Sequence, residues 1–484
     1  MSNEVRGLEP KALWNNFSDL NEIPRPSKKE ERVIEFAKNF GEGLGLDTYV
    51  DETGNVIIKK PASTGMEGKA IIALQSHLDM VPQKNSDTDF DFETQGIQMF
   101  VEGDWVKAKG TTLGADNGIG VAAIMTLLAS DDIAHPPLEA LFTTDEETGM
   151  TGAKGLKGGI LDAVILLNLD TEDDDELTIG CAGGIDVTAD GRYSEETLAD
   201  NHKSFAIAIK GLKGGHSGVE IQLGRGNANK LMNRFIADTA AEIGVRISSI
   251  DGGGLRNAIP RESNAVVSIP ENDLDAFMSC VEKFNKVLSE ELATTDPGAQ
   301  LVVEATADAG MAMDSGSQDK LLKGIYACPS GIYRMSPDIE GLVQTSNNLA
   351  RVVVKDGQYQ ILCLTRSSSE SEKSDEVNAI RAAFELIGAT VTTGGAYPGW
   401  TPKPEAKIVK IMQQLYKDLF NEEAKVAAIH AGLECGILGT HYPEMEMISF
   451  GPNIYGAHSP DERAQVSSVQ KFWKYLLETL KNTP

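Results

Sequence analysis

Apolar runs that end in polar loops mark the first part of the chain. The runs at 70–75 and 163–167 predict strands that are buried on both faces, as in a parallel sheet. A further strand is predicted at 138–143, an apolar helix at 121–128 and an amphipathic helix at 30–40. This alternation predicts an α/β fold with a mixed, largely parallel sheet flanked by helices.

The pattern changes in the middle of the chain. Residues 204–210 alternate apolar and polar side chains, which predicts a strand with one exposed face, and residues 227–244 predict a long helix. Strands and helices then follow without regular alternation, as in an α+β domain. We therefore expect a discontinuous α/β domain of residues 1–184 and 396–484, and an inserted α+β lid domain of residues 185–395.

Chemically active side chains follow the predicted strands directly. His77 comes after the run at 70–75, and Asp170 comes after the run at 163–167. Open α/β sheets bind ligands at the carboxyl ends of their strands. Asp79 shares a face with His77 in an extended chain, where a carboxylate can orient a metal-binding imidazole. The alternative interpretation of His77 is a surface histidine in a turn.

Three further segments carry acids or histidine in similar positions. Asp116 precedes the apolar helix, where it could instead cap the helix N-terminus. Glu146 and Glu147 follow the predicted strand at 138–143, although acidic runs are usually solvated surface. His458 follows a short apolar segment and a Gly/Pro turn. Mixed imidazole and carboxylate ligands suit zinc or a neighbouring first-row metal, and paired metals can polarise a carbonyl and generate hydroxide.

Composition and missing motifs exclude other classes of protein. The sequence has no G-x-S-x-G elbow, H-E-x-x-H motif, Walker A loop or Rossmann G-x-G-x-x-G. Its formal charge of −28, from 44 basic and 72 acidic residues, argues against nucleic acid and anionic membranes as partners. The five scattered cysteines predict free thiols in a reducing compartment. With no signal core and no stretch of transmembrane length, we expect a cytoplasmic protein.

The order of the motifs resembles that of a known family. The motifs are those at residues 77–82, 114–120, 145–149, 168–172, 214–218 and 456–460. Together they resemble the di-zinc aminoacylase/carboxypeptidase metallopeptidase clan. Within that clan they resemble the bacterial aminoacylhistidine dipeptidases, also called Xaa-His dipeptidases or peptidase D, which are carnosine-cleaving cytosolic enzymes. The resemblance runs from near Leu13 to near Leu480.

The resemblance implies a di-zinc exopeptidase-type catalytic domain, with cobalt or manganese as substitute metals. The implied metal ligands are His77, Asp116, Glu147, Asp170 and His458. Asp116 would bridge both metals, His77 and Asp170 would complete one site, and Glu147 and His458 would complete the other. The resemblance also implies a cis peptide bond between Asp116 and Asn117.

Further residues match catalytic and substrate-binding positions of the family. Glu146 would be the general base, although the residues alone do not distinguish it from Glu147, and Asp79 would orient His77. His216 would stabilise the oxyanion; its alternative interpretation is an incidental histidine in a glycine-rich turn. The implied substrate-binding residues are His216, Asn257, Arg366 and Gly432, of which Gly432 also fits a plain turn.

The implied reaction is hydrolysis of Xaa-His dipeptides, carnosine-like and other dipeptides included, by a metal-bridging hydroxide with a glutamate general base. The alternatives are the same di-zinc machinery acting on N-acyl amino acids, on tripeptides or on other dipeptides, and a non-catalytic metal-binding homologue. The partner implied is a small dipeptide, without nucleic acid or membrane. The sequence leaves the oligomeric state open, with a homodimer as one alternative.

Overall fold

The computed structural model describes residues 3–484 and divides into two compact units. Unit 1 comprises Met1–Gly180, Trp400–Ala428 and Leu433–Pro484, and unit 2 comprises Cys181–Gly399 and Ile429–Gly432. Within the described residues, no helix has both the length and the apolar character that crossing a bilayer requires.

Helices and strands are distributed along the whole described chain. The helices are α1 (Asn3–Arg6), α2 (Lys11–Asn21), α3 (Glu31–Gly43), α4 (Ala115–Ala129), α5 (Thr151–Gly155), α6 (Ala228–Ile243), α7 (Leu274–Glu291), α8 (Ser315–Ala327), α9 (Glu370–Glu385), α10 (Lys407–Phe420), α11 (Glu434–His441) and α12 (Val466–Asn482). Strands of the first half are β1 (Asp47–Val50), β2 (Val56–Lys60), β3 (Ile72–His77), β4 (Met99–Glu102), β5 (Trp105–Ala108), β6 (Leu138–Thr143), β7 (Ile165–Asn168), β8 (Glu176–Cys181), β9 (Gly183–Arg192), β10 (Glu195–Thr197), β11 (His202–Lys210) and β12 (Gly215–His216). The later strands are β13 (Arg246–Gly253), β14 (Ala258–Ile259), β15 (Ser263–Pro270), β16 (Gln300–Ala305), β17 (Met311–Met313), β18 (Gly331–Met335), β19 (Val343–Lys355), β20 (Gln358–Ser367), β21 (Thr390–Tyr397), β22 (Lys425–Ile429), β23 (Glu446–Ser449), β24 (Ile454–Tyr455) and β25 (Arg463–Gln465).

Unit 1 is built on an eight-stranded mixed sheet in the order β1-β2-β6-β3-β7-β23-β8-β22. Its four central strands, β6, β3, β7 and β23, pair in parallel, whereas β1 and β2 on one flank and β8 on the other pair antiparallel. Every residue of β3 and β6 is buried, as expected for strands that are covered on both faces. Helix α4 packs against β3 and α2. The predicted mixed sheet is confirmed, with its parallel part confined to the centre.

Unit 2 is built on a nine-stranded antiparallel sheet. Its main path is β16-β11-β15-β13-β19-β20-β9-β21, and β18 pairs with β19. Helices α6 and α7 pack against its strands, with Phe235 and Phe277 in edge-to-face contact in the core between them. The long strands β19 and β20 form a hairpin whose turn places Asp356 and Gly357 at positive φ, 52° and 73°. Unit 2 therefore has an antiparallel sheet with packed helices, the α+β character expected from strands and helices that follow without regular alternation.

Candidate active site

Parallel pairing places the ends of three strands of unit 1 side by side. In the register of the sheet, His77 at the end of β3 lies opposite Thr143 of β6. Gln75 of β3 lies opposite Asn168 at the end of β7. The residues that follow β6 and β7, Glu146 and Asp170 among them, are therefore brought to the same sheet edge as His77. His77 is 1% exposed, so the interpretation as a surface turn is wrong.

The carboxylate of Asp116 lies between two histidines. Its Oδ1 is 3.2 Å from His77 Nε2, and its Oδ2 is 3.2 Å from His458 Nε2. The residue has φ −80° and ψ 107°, outside the helical region, and its peptide bond to Asn117 is cis. The N-cap of α4 is Gly114, and no side-chain cap is formed there within the described residues. A carboxylate that offers one oxygen to each histidine has the arrangement of a bridging ligand rather than of a helix cap.

Two more carboxylates complete the cluster around Asp116. Asp170 Oδ1 lies 3.6 Å from His77 Nε2, and Glu147 Oε2 lies 2.9 Å from His458 Nε2. The ligand atoms of His77, Asp116 and Asp170 lie within 4.8 Å of one another, and so do those of Asp116, Glu147 and His458. The structure therefore brings all five implied metal ligands together as two overlapping sets that share Asp116.

Glu146 lies beside this cluster without belonging to either set. It is grouped with His77 and Glu147, again with ligand atoms within 4.8 Å of one another. Sequence alone did not distinguish Glu146 from Glu147, but in the structure it is Glu147 that contacts His458. The contact with His458 is thus the feature that separates the two glutamates.

Asp79 connects the strand that carries His77 to the segment that carries the glutamates. Its Oδ1 lies 3.3 Å from His77 Nδ1 and accepts the N–H of Glu146 at 3.0 Å. Its Oδ2 accepts the hydroxyl of Ser27 at 2.8 Å and the N–H of Glu147 at 3.3 Å. A fully buried carboxylate with these partners fixes both the imidazole ring and the turn after β6.

Burial and crowding shift the ionisation of the cluster. Burial raises the pKa of Asp170 well above its usual range, and the neighbouring Asp116 and Glu146 add to the shift. Burial acts in the same direction on Asp116, but the hydrogen bonds from His458 and His77 outweigh it and lower the pKa of Asp116. Hydrogen bonds to Asp116 and Glu147 raise the pKa of His458 to about 11. Carboxylates crowded in this way call for cationic partners.

The donor set fits divalent metal ions. Glu147 Oε1 and Asp170 Oδ1 are buried and have no hydrogen-bond partner within residues 3–484. Natural proteins rarely leave buried carboxylate oxygens unsatisfied, so these atoms call for a ligand. Imidazole nitrogen with carboxylate oxygen is a donor combination that zinc and its neighbours accept.

Unit 2 holds His216 in a defined tautomer. Its Nδ1 accepts the N–H groups of Gly218 and Val219 at 3.1 and 3.2 Å. Burial, together with the positive charge of Arg366, lowers the pKa of His216 and favours the neutral ring. In the neutral ring with Nδ1 as the acceptor, the proton lies on Nε2, which is then available as a donor. This tautomer is the one that an oxyanion donor requires.

Arg366 and Asn257 lie at positions fixed by neighbouring strands of unit 2. Arg366, 5% exposed, donates from Nη1 to the hydroxyl of Tyr397 at 2.7 Å, and its Nε has no partner within the described residues. The loop that carries Asn257 is held by buried Asn348, whose Nδ2 donates to the carbonyls of Arg256 and Ala258 at 2.9 and 2.7 Å. Arg366 therefore retains donors for an anion.

Gly432 ends the short segment Ile429–Gly432 that belongs to unit 2. His430 in this segment is buried, and its Nε2 lies 2.7 Å from Ser346 Oγ. Burial first, and then the charge of Arg366, lowers the pKa of His430 to about 3, so the ring is neutral. The segment that presents Gly432 is thus anchored by a neutral histidine that carried no predicted role.

Sequence reasoning missed three buried charged residues that surround the cluster. The carboxylate of Glu462 accepts backbone N–H groups of the loop that carries Asp116. Arg25 donates to the carbonyls of Leu78 and Gly114. Glu434 accepts hydrogen bonds from Gln75 and Thr143. None of the three lies in a periodic pattern. The only signal is a charged residue beside a motif, such as Glu462 four positions after His458.

Comparison with known proteins places the chain in a family. Residues 73–482 match the profile of peptidase family M20/M25/M40, and the chain belongs to this family. It is 43% identical over 481 residues to the cytosol non-specific dipeptidase of Escherichia coli (strain K12), covering 99% of both chains.

Solved structures share the fold. The aminoacylhistidine dipeptidase from Vibrio alginolyticus matches with a TM-score of 0.94 and 42% identity, over 99% of this chain and 98% of that one. The aminopeptidase PepT from Bacillus cereus ATCC 10987 matches with a TM-score of 0.58 at 16% identity, over 98% of both chains. The second likeness concerns the fold alone.

Proposed function

We propose that this chain is a metal-dependent dipeptidase that hydrolyses Xaa-His and other dipeptides. The observation that carries the proposal is the carboxylate of Asp116 between His77 and His458, with Asp170 and Glu147 beside them. The names of the relatives from Escherichia coli and Vibrio alginolyticus support a dipeptide substrate, and the first supports a cytosolic location.

We propose that two zinc ions, replaceable by cobalt or manganese, are held by the two overlapping ligand sets. When bound, such metals polarise the scissile carbonyl and acidify water. Glu146 takes the proton from the attacking water and delivers it to the leaving amine. Asp79 keeps the ring of His77 oriented, since its carboxylate faces Nδ1 at 3.3 Å.

The residues of unit 2 are proposed to bind the substrate. His216, whose Nδ1 accepts two backbone N–H groups, donates from Nε2 to the developing oxyanion. Arg366 and Asn257 hold the free C-terminal carboxylate, for which the planar guanidinium is suited. Gly432 contributes a backbone contact. A requirement for a free C-terminal carboxylate restricts substrates to short peptides.

The test is metal-dependent release of histidine from β-alanyl-histidine. Protein stripped with a chelator and reloaded with zinc is assayed beside the stripped protein, with Ala-His, Ala-Ala, a tripeptide and an N-acetyl amino acid as further substrates. Turnover of the dipeptides only after reloading supports the proposal. If only the tripeptide or only the N-acetyl amino acid is hydrolysed, that compound replaces the dipeptide as the proposed substrate.

A further inference from the structure

Glu462 is a buried carboxylate that lies four residues after His458 and belongs to neither metal-ligand set. It is 2% exposed. Its Oε2 accepts the N–H groups of Leu113 and Gly114 at 2.6 and 2.9 Å. Its Oε1 accepts those of Ala115 and Asp116 at 2.7 and 3.2 Å. One side chain thus holds consecutive N–H groups at the start of α4, where a negative charge is favoured.

The backbone of Glu462 belongs to the turn that carries His458. In that turn, the N–H of Glu462 donates to Ser459 O at 3.1 Å, and the N–H of Ser459 donates to Gly456 O at 3.2 Å. His458 itself has a positive φ of 61°. A histidine in the left-handed region is strained unless its surroundings hold it there. Glu462 therefore joins the turn of His458 to the loop of Asp116.

Arg25 holds the opposite side of the same loop. Its Nη2 donates to Gly114 O at 2.6 Å, and its Nη1 donates to Leu78 O at 3.0 Å. A Cβ atom on Gly114 would approach Arg25 Nη2, so the glycine permits this close contact. In the loop before Asp116, the guanidinium of Arg25 holds the carbonyl of Gly114, and the carboxylate of Glu462 holds the N–H groups. Both side chains are buried.

We infer that Glu462 is a positioning residue that aligns Asp116 and His458 for metal binding. The inference rests on the proposed function, because it assigns Glu462 to the proposed metal pair. Glu462 fixes two of the three ligands of the set Asp116, Glu147 and His458, but only Asp116 in the set with His77 and Asp170. Loss of its carboxylate therefore weakens the first set more than the second.

The substitution Glu462→Gln tests this asymmetry at nearly constant volume. One amide oxygen replaces two carboxylate oxygens, and the amide NH₂ faces N–H donors that it cannot accept from. The matched control is Glu139→Gln. Glu139 is also 2% exposed and also accepts backbone N–H groups, those of Asp162 and Ala163. It lies on β6, whose opposite end leads to Glu146.

Each metal set is isolated by removing the histidine of the other. In the His77→Ala background cobalt is bound by the set with His458, and in the His458→Ala background by the set with His77. Cobalt affinity is measured by calorimetric titration and by visible absorption. We expect Glu462→Gln to lower it about 10- to 100-fold in the first background, which is the usual effect of losing a partner outside the ligand set. The loss in the second background is expected to be smaller, and Glu139→Gln changes neither.

The outcomes separate this inference from the proposed function. If the protein of native sequence binds no divalent metal, both the inference and the proposed function are overturned. Two bound ions in the native sequence, with cobalt affinities unchanged by Glu462→Gln, overturn the inference alone. Equal losses in both backgrounds also overturn it, because they indicate a general structural defect. If Glu462→Gln does not fold, Glu462→Asp keeps the charge but shortens its reach, and the same asymmetry is expected.

Discussion

At the scale of single residues, the site depends on side chains that hold other side chains. Asp79 is 0% exposed, faces His77 Nδ1 and accepts the N–H groups of both Glu146 and Glu147. It therefore sets the orientation of a proposed ligand and of the proposed base together. We expect such a residue to influence catalysis without touching the substrate.

Replacing Asp79 with Asn is expected to weaken metal binding about 10- to 100-fold, since the amide no longer orients the imidazole as a carboxylate does. Calorimetric titration with zinc measures the change. The matched control is Ser27→Ala, which removes one hydrogen bond to Asp79 Oδ2 and leaves the carboxylate. Equal affinities for Asp79→Asn and the native sequence would contradict the role of Asp79.

The order of motifs in the sequence predicted most of the residues of the candidate site. His77 and Asp170 stand in motifs after apolar segments, and the parallel strands bring their neighbourhoods together. Asp116 stands in a motif before an apolar helix. Glu462 and Arg25 were not found, because their contacts are with backbone groups distant along the chain. Hydrogen bonds to the backbone leave no trace in residue type or periodicity.

At the scale of elements, helix α4 must approach β3 closely for Asp116 to reach His77. Gly120 permits this approach. A Cβ atom there would lie 2.6 Å from Asn117 Oδ1 and 2.8 Å from Leu169 O, and would also crowd Ser76. The apolar run at 121–128 predicted the helix, with Asp116 at its start as a candidate cap. In the structure α4 begins at Ala115, its N-cap is Gly114, and Asp116 is non-helical within the first turn.

Gly120→Ala is expected to destabilise the protein by about 1–3 kcal/mol through overpacking, and to lower metal affinity by shifting the start of α4. The control is Gly43→Ala in α3, where no described atom lies within 4 Å of the added Cβ. There, the better helix propensity of alanine should stabilise by up to about 1 kcal/mol. Denaturant unfolding measures both changes. An unchanged unfolding free energy in Gly120→Ala would contradict the close packing.

A buried histidine also gives unit 2 a predictable dependence on pH. Burial lowers the pKa of His430 to about 3, so the folded state keeps this ring neutral while the unfolded chain protonates it near its ordinary value of 6.5. The unfolded state then binds more protons between these values. The stability that His430 contributes is fully present above pH 6.5 and is lost as the pH falls towards 3.

Between pH 7 and pH 5, this residue should cost the protein about 2 kcal/mol of unfolding free energy. His430→Gln removes the titration and keeps a group able to hydrogen-bond Ser346. Between pH 7 and pH 5, we expect the variant to lose about 2 kcal/mol less unfolding free energy than the native sequence. Denaturant unfolding at pH 7 and at pH 5 measures the difference. Identical losses would show that His430 does not titrate as its burial implies.

At the scale of the whole molecule, all five residues of the proposed metal centre belong to unit 1, although they come from both ends of the chain. His77, Asp116 and Asp170 come from the first part, and His458 comes from the last. The sequence predicted a discontinuous domain from the return of α/β character after residue 396. The strand order of the antiparallel sheet in unit 2 could not be predicted from the sequence, because periodicity does not specify which strands pair.

Metal removal is therefore expected to destabilise unit 1 in particular. Each ion bound only by the folded state adds about 4 kcal/mol when its free concentration is a thousand times its Kd. Scanning calorimetry of stripped and zinc-reloaded protein should show one transition that moves to higher temperature on reloading. The control for specific binding is the dependence of this transition temperature on zinc concentration. Superimposable scans would contradict a metal-stabilised unit 1.

We propose that Glu146 transfers the proton while the five neighbouring residues hold the metals. The most direct test measures bound zinc and dipeptide turnover together in Glu146→Gln. We predict two zinc ions per chain, as in the native sequence, with turnover of β-alanyl-histidine abolished. Unchanged turnover in the zinc-loaded variant would contradict the mechanism, and loss of zinc would instead place Glu146 among the ligands.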